Sequence, residues 1–180
     1  QFVDGYPRIS AAINTHAINT GTTPDEVAME FTVSAAMTCG GAGIYVLPAA
    51  SGDYDVVLYS GTTAERTVSI ITDTLNVDAA ARWVTVTWAD YALATGTTYR
   101  LVLKPTTANN VSTYSLDCSA AGHLTAFAGS VGFTSRTDAG AFAAVTATRL
   151  PFMRLLIVGV DDAAGGGGGG SDTFVPTFRV

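Results

Sequence analysis

A chain of 180 residues, 48% hydrophobic and only 13% charged, with a mean hydropathy of +0.32, is long enough to bury one sizeable core and must cover its surface largely with Thr, Ser, Gly and Ala. Nine Lys and Arg against fifteen Asp and Glu leave a formal charge of −6, which excludes the cationic footprint that nucleic acid demands. The longest apolar run, Leu155 to Val160, is strand-sized and well short of the roughly eighteen residues that span a bilayer, so no membrane span is expected.

The chain opens at Gln1 rather than at a methionine, which reads as a processed precursor or a partial chain. Period-two alternation dominates from there, and helical periodicity is nearly absent. Arg8 to Ile13 reads as a first strand. Asp25 and Glu26, behind Pro24, offer one helical turn at most, because Thr22 and Thr23 disfavour anything longer. In Glu26 to Ala36, Val27, Met29, Phe31, Val33 and Ala35 share a face opposite Ala28, Glu30, Thr32 and Ser34, as in a half-buried strand. Tyr54 to Ser60 follows, and Gly61-Thr62-Thr63 turns the chain into Arg66 to Leu75. Trp83 to Trp88 places Val84, Val86 and Trp88 on one side and Trp83, Thr85 and Thr87 on the other, so one indole is partly exposed.

Tyr99 to Lys104 alternates again until Pro105, which lacks a ladder donor. Asn110 to Cys118 is the next strand. Val131 to Thr137 and Ala141 to Thr148 flank Asp138-Ala139-Gly140, whose glycine is available for a positive φ, and read as a hairpin. A last strand runs from Phe152 to Val160. About nine short strands rich in β-branched residues, with turn residues between them, predict an all-β domain over residues 1–164, an antiparallel two-sheet sandwich or jelly roll.

The stretch from Leu58-Tyr59-Ser60 through Arg82-Trp83-Val84-Thr85-Val86-Thr87-Trp88 to Leu93-Ala94-Thr95-Gly96-Thr97-Thr98-Tyr99-Arg100-Leu101-Val102-Leu103 resembles the jelly-roll, carbohydrate-binding-module-like domains of secreted and phage-encoded surface proteins. The resemblance covers about fifty residues and implies a fold and an extracellular, cell-surface or virion location. Its members serve as binding modules, as fibre and capsid decorations and as filament subunits. No ligand residue carries over.

Chemistry-bearing motifs are few. Gly165, Gly167 and Gly170 satisfy a dinucleotide-binding pattern only as any polyglycine does, with no helix to open. No phosphate-binding loop, nucleophile elbow, CxxC pair or HExxH occurs, and no pair of carboxylates stands out for glycoside cleavage, so no enzyme and no cofactor is expected. His16 and His123 are the only histidines, each read as structural or surface. Asp53 with Asp55, and Asp161 with Asp162, are weak loop-oxygen candidates for calcium, with solvated turn residues as the plainer reading. Asn110-Val111-Ser112 is an N-glycosylation sequon. Trp83, Tyr59 and Tyr91 are candidates for stacking on sugar rings, against a core or interface role. Cys39 and Cys118 permit one disulfide, expected if the compartment is oxidising, and otherwise two small hydrophobes.

The last residues differ in kind. Gly165, Gly166, Gly167, Gly168, Gly169 and Gly170 form a flexible spacer ahead of Ser171-Asp172-Thr173-Phe174-Val175-Pro176-Thr177-Phe178-Arg179-Val180. There Phe174, Phe178 and Val180 fall on one side of an extended strand, with Thr173, Val175, Thr177 and Arg179 on the other. Residues 165–180 therefore read as a polyglycine linker with a docking strand. The expected function is a structural subunit of an extracellular filament or virion-type assembly, polymerising with copies of itself by donating this strand. The alternative is a carbohydrate-binding or adhesive surface module whose partners are glycans.

Overall fold

The computed structural model describes residues 13–48, 52–71, 80–117, 131–146 and 149–160. Among these residues there is no helix, and so none long and apolar enough to cross a membrane. Twelve strands run in chain order as β1 (Ile13–Ile18), β2 (Glu26–Thr32), β3 (Met37–Pro48), β4 (Tyr54–Ser60), β5 (Thr63–Ile70), β6 (Arg82–Leu93), β7 (Thr98–Pro105), β8 (Val111–Asp117), β9 (Val131–Arg136), β10 (Ala143–Thr146), β11 (Arg149–Pro151) and β12 (Met153–Val160). Among the described residues they form two antiparallel sheets of six strands each.

The second sheet has the order β10-β9-β2-β7-β4-β5. Only its two outer pairs, β9–β10 and β4–β5, join neighbours in sequence, while β9–β2, β2–β7 and β7–β4 pair strands far apart in the chain. The β4–β5 hairpin closes through Gly61, whose φ of 59° needs the freedom of glycine. The β9–β10 hairpin forms as its sequence predicts, but its positive φ angles fall on Asp138 (50°) and Ala139 (58°), not on Gly140. The Gly140 N–H donates to the Thr137 carbonyl at 2.9 Å, so the turn is of type I′, which demands a left-handed conformation at both central residues.

The first sheet is forked. β3 carries β6 along one side, and on the other it pairs with β8 only over Val46–Pro48. Beyond that point the two strands part, β11 pairing with β8 and β12 with β3. Because β11 and β12 are both antiparallel to strands that are antiparallel to each other, the chain must reverse at Phe152, in the crotch of the fork. There the Phe152 N–H donates to the Tyr114 carbonyl and its own carbonyl accepts from the Tyr45 N–H, each at 2.9 Å.

The two sheets share one core, in which Ile44, Val46 and Leu93 of the first sheet meet Val27, Leu58, Leu101 and Phe133 of the second. Two features of that core were not legible in the sequence. The strand β3, the centre of its sheet, was not among the expected strands, because Gly40, Gly41 and Gly43 remove the alternation that reveals a strand. Those glycines have a packing reason: a Cβ on Gly41 would lie 2.3 Å from the Val86 carbonyl oxygen of β6. The second feature is the orientation of β8. Its inward positions hold Val111, Thr113 and Ser115, all fully buried, while Tyr114 and Leu116 lie half-buried on the opposite face. The inward hydroxyls are satisfied, Thr113 Oγ1 donating to the Tyr45 carbonyl at 3.0 Å and Ser115 Oγ lying 2.8 Å from His16 Nε2.

Candidate functional site

Turning β8 in this way places rings on the outer face of the forked sheet. Tyr114 of β8, Phe152 at the reversal, Tyr45 of β3 and Trp83 of β6 form a row across it, Tyr45 and Trp83 being direct register partners. Tyr45 is the hub, with ring centroids 5.4 Å from Tyr114, 5.6 Å from Trp83 and 6.0 Å from Phe152, all tilted or edge-on as aromatic quadrupoles prefer. With Ile13 on β1 and Ala81 before β6, these rings line a groove of about 500 Å³, within the range of ligand-holding clefts. Trp83 is 42% exposed and Ile13 62%. None of the six lining side chains carries a formal charge.

A cation borders the groove. Arg154 of β12 stands opposite Gly43, where a Cβ would come within 2.7 Å of its Nε, so the bare backbone lets the arginine lie across β3. Its guanidinium ends 4.4 Å from the centroid of the Trp83 ring, a cation–π contact that holds the indole upright.

The outer face of the other sheet is closed by its own chain. Ala28, Val57, Tyr59 and Val102 form a small second core on that face, and Phe142, from the loop after the type I′ turn, packs onto it. Two guanidinia flank the Phe142 ring, Arg100 at 5.0 Å and Arg136 at 4.5 Å. Arg136 donates through Nε to Glu26 at 2.7 Å and through a terminal nitrogen to the Tyr59 hydroxyl at 2.9 Å, and Arg100 is paired to Glu30 at 2.6 Å. Lys104 stands 3.9 Å from Glu26. Each guanidinium is paired to a carboxylate while it lies on Phe142, so the two act as a clamp on that ring, and the same residues border a cavity of about 390 Å³.

Of the residues singled out in the sequence, Trp83 lies in the groove but Tyr59 and Tyr91 do not. Tyr59 is buried under Phe142, and Tyr91 packs against the core with Arg66 over its ring at 4.9 Å. Trp88 also turns inward, its indole N–H donating to the Cys39 carbonyl at 3.2 Å. His16 lies tilted against Phe133 with ring centroids 4.7 Å apart, and burial, reinforced by the Arg149 charge, holds its imidazole below the ordinary value. Its partner Ser115 is wholly buried, and among the described residues the charge acting on the ring is a cation rather than the carboxylate of a catalytic triad.

Asp55 accepts from the Ser69 hydroxyl at 2.7 Å, and among the described residues no three His, Cys, Asp or Glu side chains converge as a metal site would require. Asn110 is exposed just before β8, its side-chain oxygen accepting from Asn19 at 2.6 Å. Cys39 is a fully buried free thiol donating to the Gly41 carbonyl at 3.2 Å. Cys118, His123, Asp161, Asp162, the six glycines Gly165 to Gly170, Phe174, Val175, Phe178 and Val180 all lie outside the described residues. Protein-family models, curated proteins and solved structures offer no match to this chain.

Proposed function

We propose that this chain is a non-enzymatic β-sandwich subunit, of jelly-roll type, in an extracellular or virion-type surface assembly, and that it self-associates through the segment following β12. One observation supports the reading above the rest. Among the described residues the exposed large apolar side chains are Ile13, Ile71, Trp83, Leu156, Ile157 and Val158, and all but Ile71 stand on strands of the forked sheet. Apolar residues left exposed along one sheet support an interaction surface there. The sequence beyond β12 supplies an apolar segment behind a six-glycine spacer, and a head-to-tail contact that does not close builds a filament. Removing residues 165–180 is expected to leave the far-ultraviolet circular dichroism unchanged while sedimentation falls to that of a single chain. Large species that persist after the removal refute the reading.

A second reading, a saccharide-binding adhesive module, is favoured by the ring row itself, since exposed aromatic faces stack on the apolar faces of sugars. It predicts a small monodisperse protein whose tryptophan fluorescence responds to oligosaccharides.

A further inference from the structure

We infer that the aromatic groove of the forked sheet is the socket for Phe174, Pro176 and Phe178 of a second copy of the chain, an inference that rests on the self-association just proposed and names the surface it uses. The first argument is length. From Tyr114 on β8 across the inserted Phe152 and Tyr45 on β3 to Trp83 on β6 is three strand spacings, about 14 Å. Phe174 and Phe178 lie four residues apart, which in an extended chain is about 13 Å. Period two puts Phe174, Pro176 and Phe178 on one side, so the two rings meet the ends of the ring row, at Trp83 and Tyr114, with the proline over its centre and Ile13 beyond Phe178.

The second argument is the chemistry of the middle residue. Pro176 has no N–H to give a sheet edge, and proline rings dock well in aromatic-lined grooves whose contacts are apolar. The groove asks for no main-chain ladder and presents uncharged, mostly aromatic side chains. Charge sets the direction: Phe174 seated at Trp83 leaves Asp172, two residues earlier, beside Arg154 at that end.

The third argument is where β12 leads. Met153 adjoins the groove and Val160 lies at the other end of the strand, so β12 carries the chain away from its own groove. Residues 161–173 extend at most about 43 Å further. Docking in the same molecule would require this span to double back across the sheet, whereas docking on the next copy requires no reversal.

The test uses the full chain carrying Phe174→Ser and Phe178→Ser as receiver, and a fluorescent synthetic peptide of residues 171–180 as ligand, with binding read by anisotropy. The peptide is expected to bind this receiver. Adding Trp83→Ala, or Ile13→Asp at a position exposed enough to leave folding intact, should weaken binding at least about tenfold, as should the same two serines in the peptide. Arg154→Glu should weaken it too, with recovery in a peptide carrying Asp172→Arg. Equal binding to the groove variants overturns the inference while leaving self-association standing, with an open edge such as β6 as the socket. A wild-type chain that stays monomeric at every concentration while its serine variant binds peptide indicates docking within one molecule and overturns the second copy. A chain that neither assembles nor binds peptide overturns the proposed function itself. Trp83 fluorescence that answers to cellohexaose and not to the peptide assigns the groove to saccharide and overturns the inference.

Discussion

Two arginine–glutamate pairs in the same sheet, equal in length and unequal in burial, allow a test of what holds the second sheet's outer face. Arg136 and Glu26 meet at 2.7 Å with side chains only 7% and 4% exposed, and Arg100 and Glu30 meet at 2.6 Å with 19% and 33% exposed. Replacing Arg136 by methionine leaves the Glu26 carboxylate buried with only Lys104, 3.9 Å away, to neutralise it. Breaking one side of a buried pair typically costs about 3–5 kcal/mol, and loss of the guanidinium stacked on Tyr59 at 4.8 Å and on Phe142 at 4.5 Å adds to this. Lys104 offsets a surface pair's worth, about 0–1 kcal/mol. Arg136→Met is therefore expected to destabilise by about 3–5 kcal/mol, a large part of the roughly 5–15 kcal/mol available to a domain. Arg100→Met should cost no more than about 1.5 kcal/mol, because water can reach both partners. Glu26→Gln combined with Arg136→Met should recover at least a third of the single-variant loss, since no buried charge is then left alone. Equilibrium urea unfolding followed by circular dichroism measures all three. An Arg136→Met loss within about 1 kcal/mol of the Arg100→Met loss, or strict additivity in the double variant, refutes the reasoning.

Two further outcomes follow from buried titratable groups. His16 is held below its ordinary 6.5, so on acidification the unfolded chain takes up a proton near pH 6.5 that the folded chain does not. Stability is fully present above that value and falls below it, by up to about 1.4 kcal/mol per pH unit, until the folded imidazole titrates. His16→Gln should lose less stability than the parent between about pH 7.5 and 5.5, and parallel losses in urea titrations would show that His16 is not the cause. Burial likewise pushes the Cys39 thiol above its ordinary range. Iodoacetamide should leave Cys39 unmodified in the folded protein and alkylate it in denaturant, as read by peptide mass spectrometry, and modification at the rate of a free thiol before unfolding would contradict the buried placement.

What was legible in the sequence was what alternation can carry. Val84, Val86 and Trp88 turn inward and Trp83, Thr85 and Thr87 outward as their period predicts, and the β4–β5 and β9–β10 hairpins sit at their turn residues. Alternation failed in two places, each for a physical reason. In β3 the glycines needed for close approach to β6 and for the passage of Arg154 left no side chains to alternate. In β8 the period shows a strand but not which face goes inside: hydrogen bonds to His16 and to the Tyr45 carbonyl let the Ser and Thr positions turn inward and leave Tyr114 and Leu116 on the outer face. Of the groove, only the exposed Trp83 could be read. Its rings stand at residues 45, 83, 114 and 152, and nothing in the spacing of one strand says which strands become its neighbours.

The two outer faces of the sandwich solve the same problem differently, and the contrast carries the functional argument further than either face alone. Each exposes aromatic and aliphatic surface that water disfavours. On one sheet the chain brings its own cover: the turn at Asp138 and Ala139 adopts an unfavourable left-handed backbone at two residues, and the loop after it lays Phe142 over Val57, Tyr59 and Val102 under two arginines. On the forked sheet the rings are arranged with comparable care, Gly43 giving way so that Arg154 can brace Trp83, yet among the described residues no element lies over them. The proposed docking of residues 174–178 supplies for the ring row what Phe142 supplies for the other face, and the peptide-binding experiment is the measurement that decides whether the row takes such a cover.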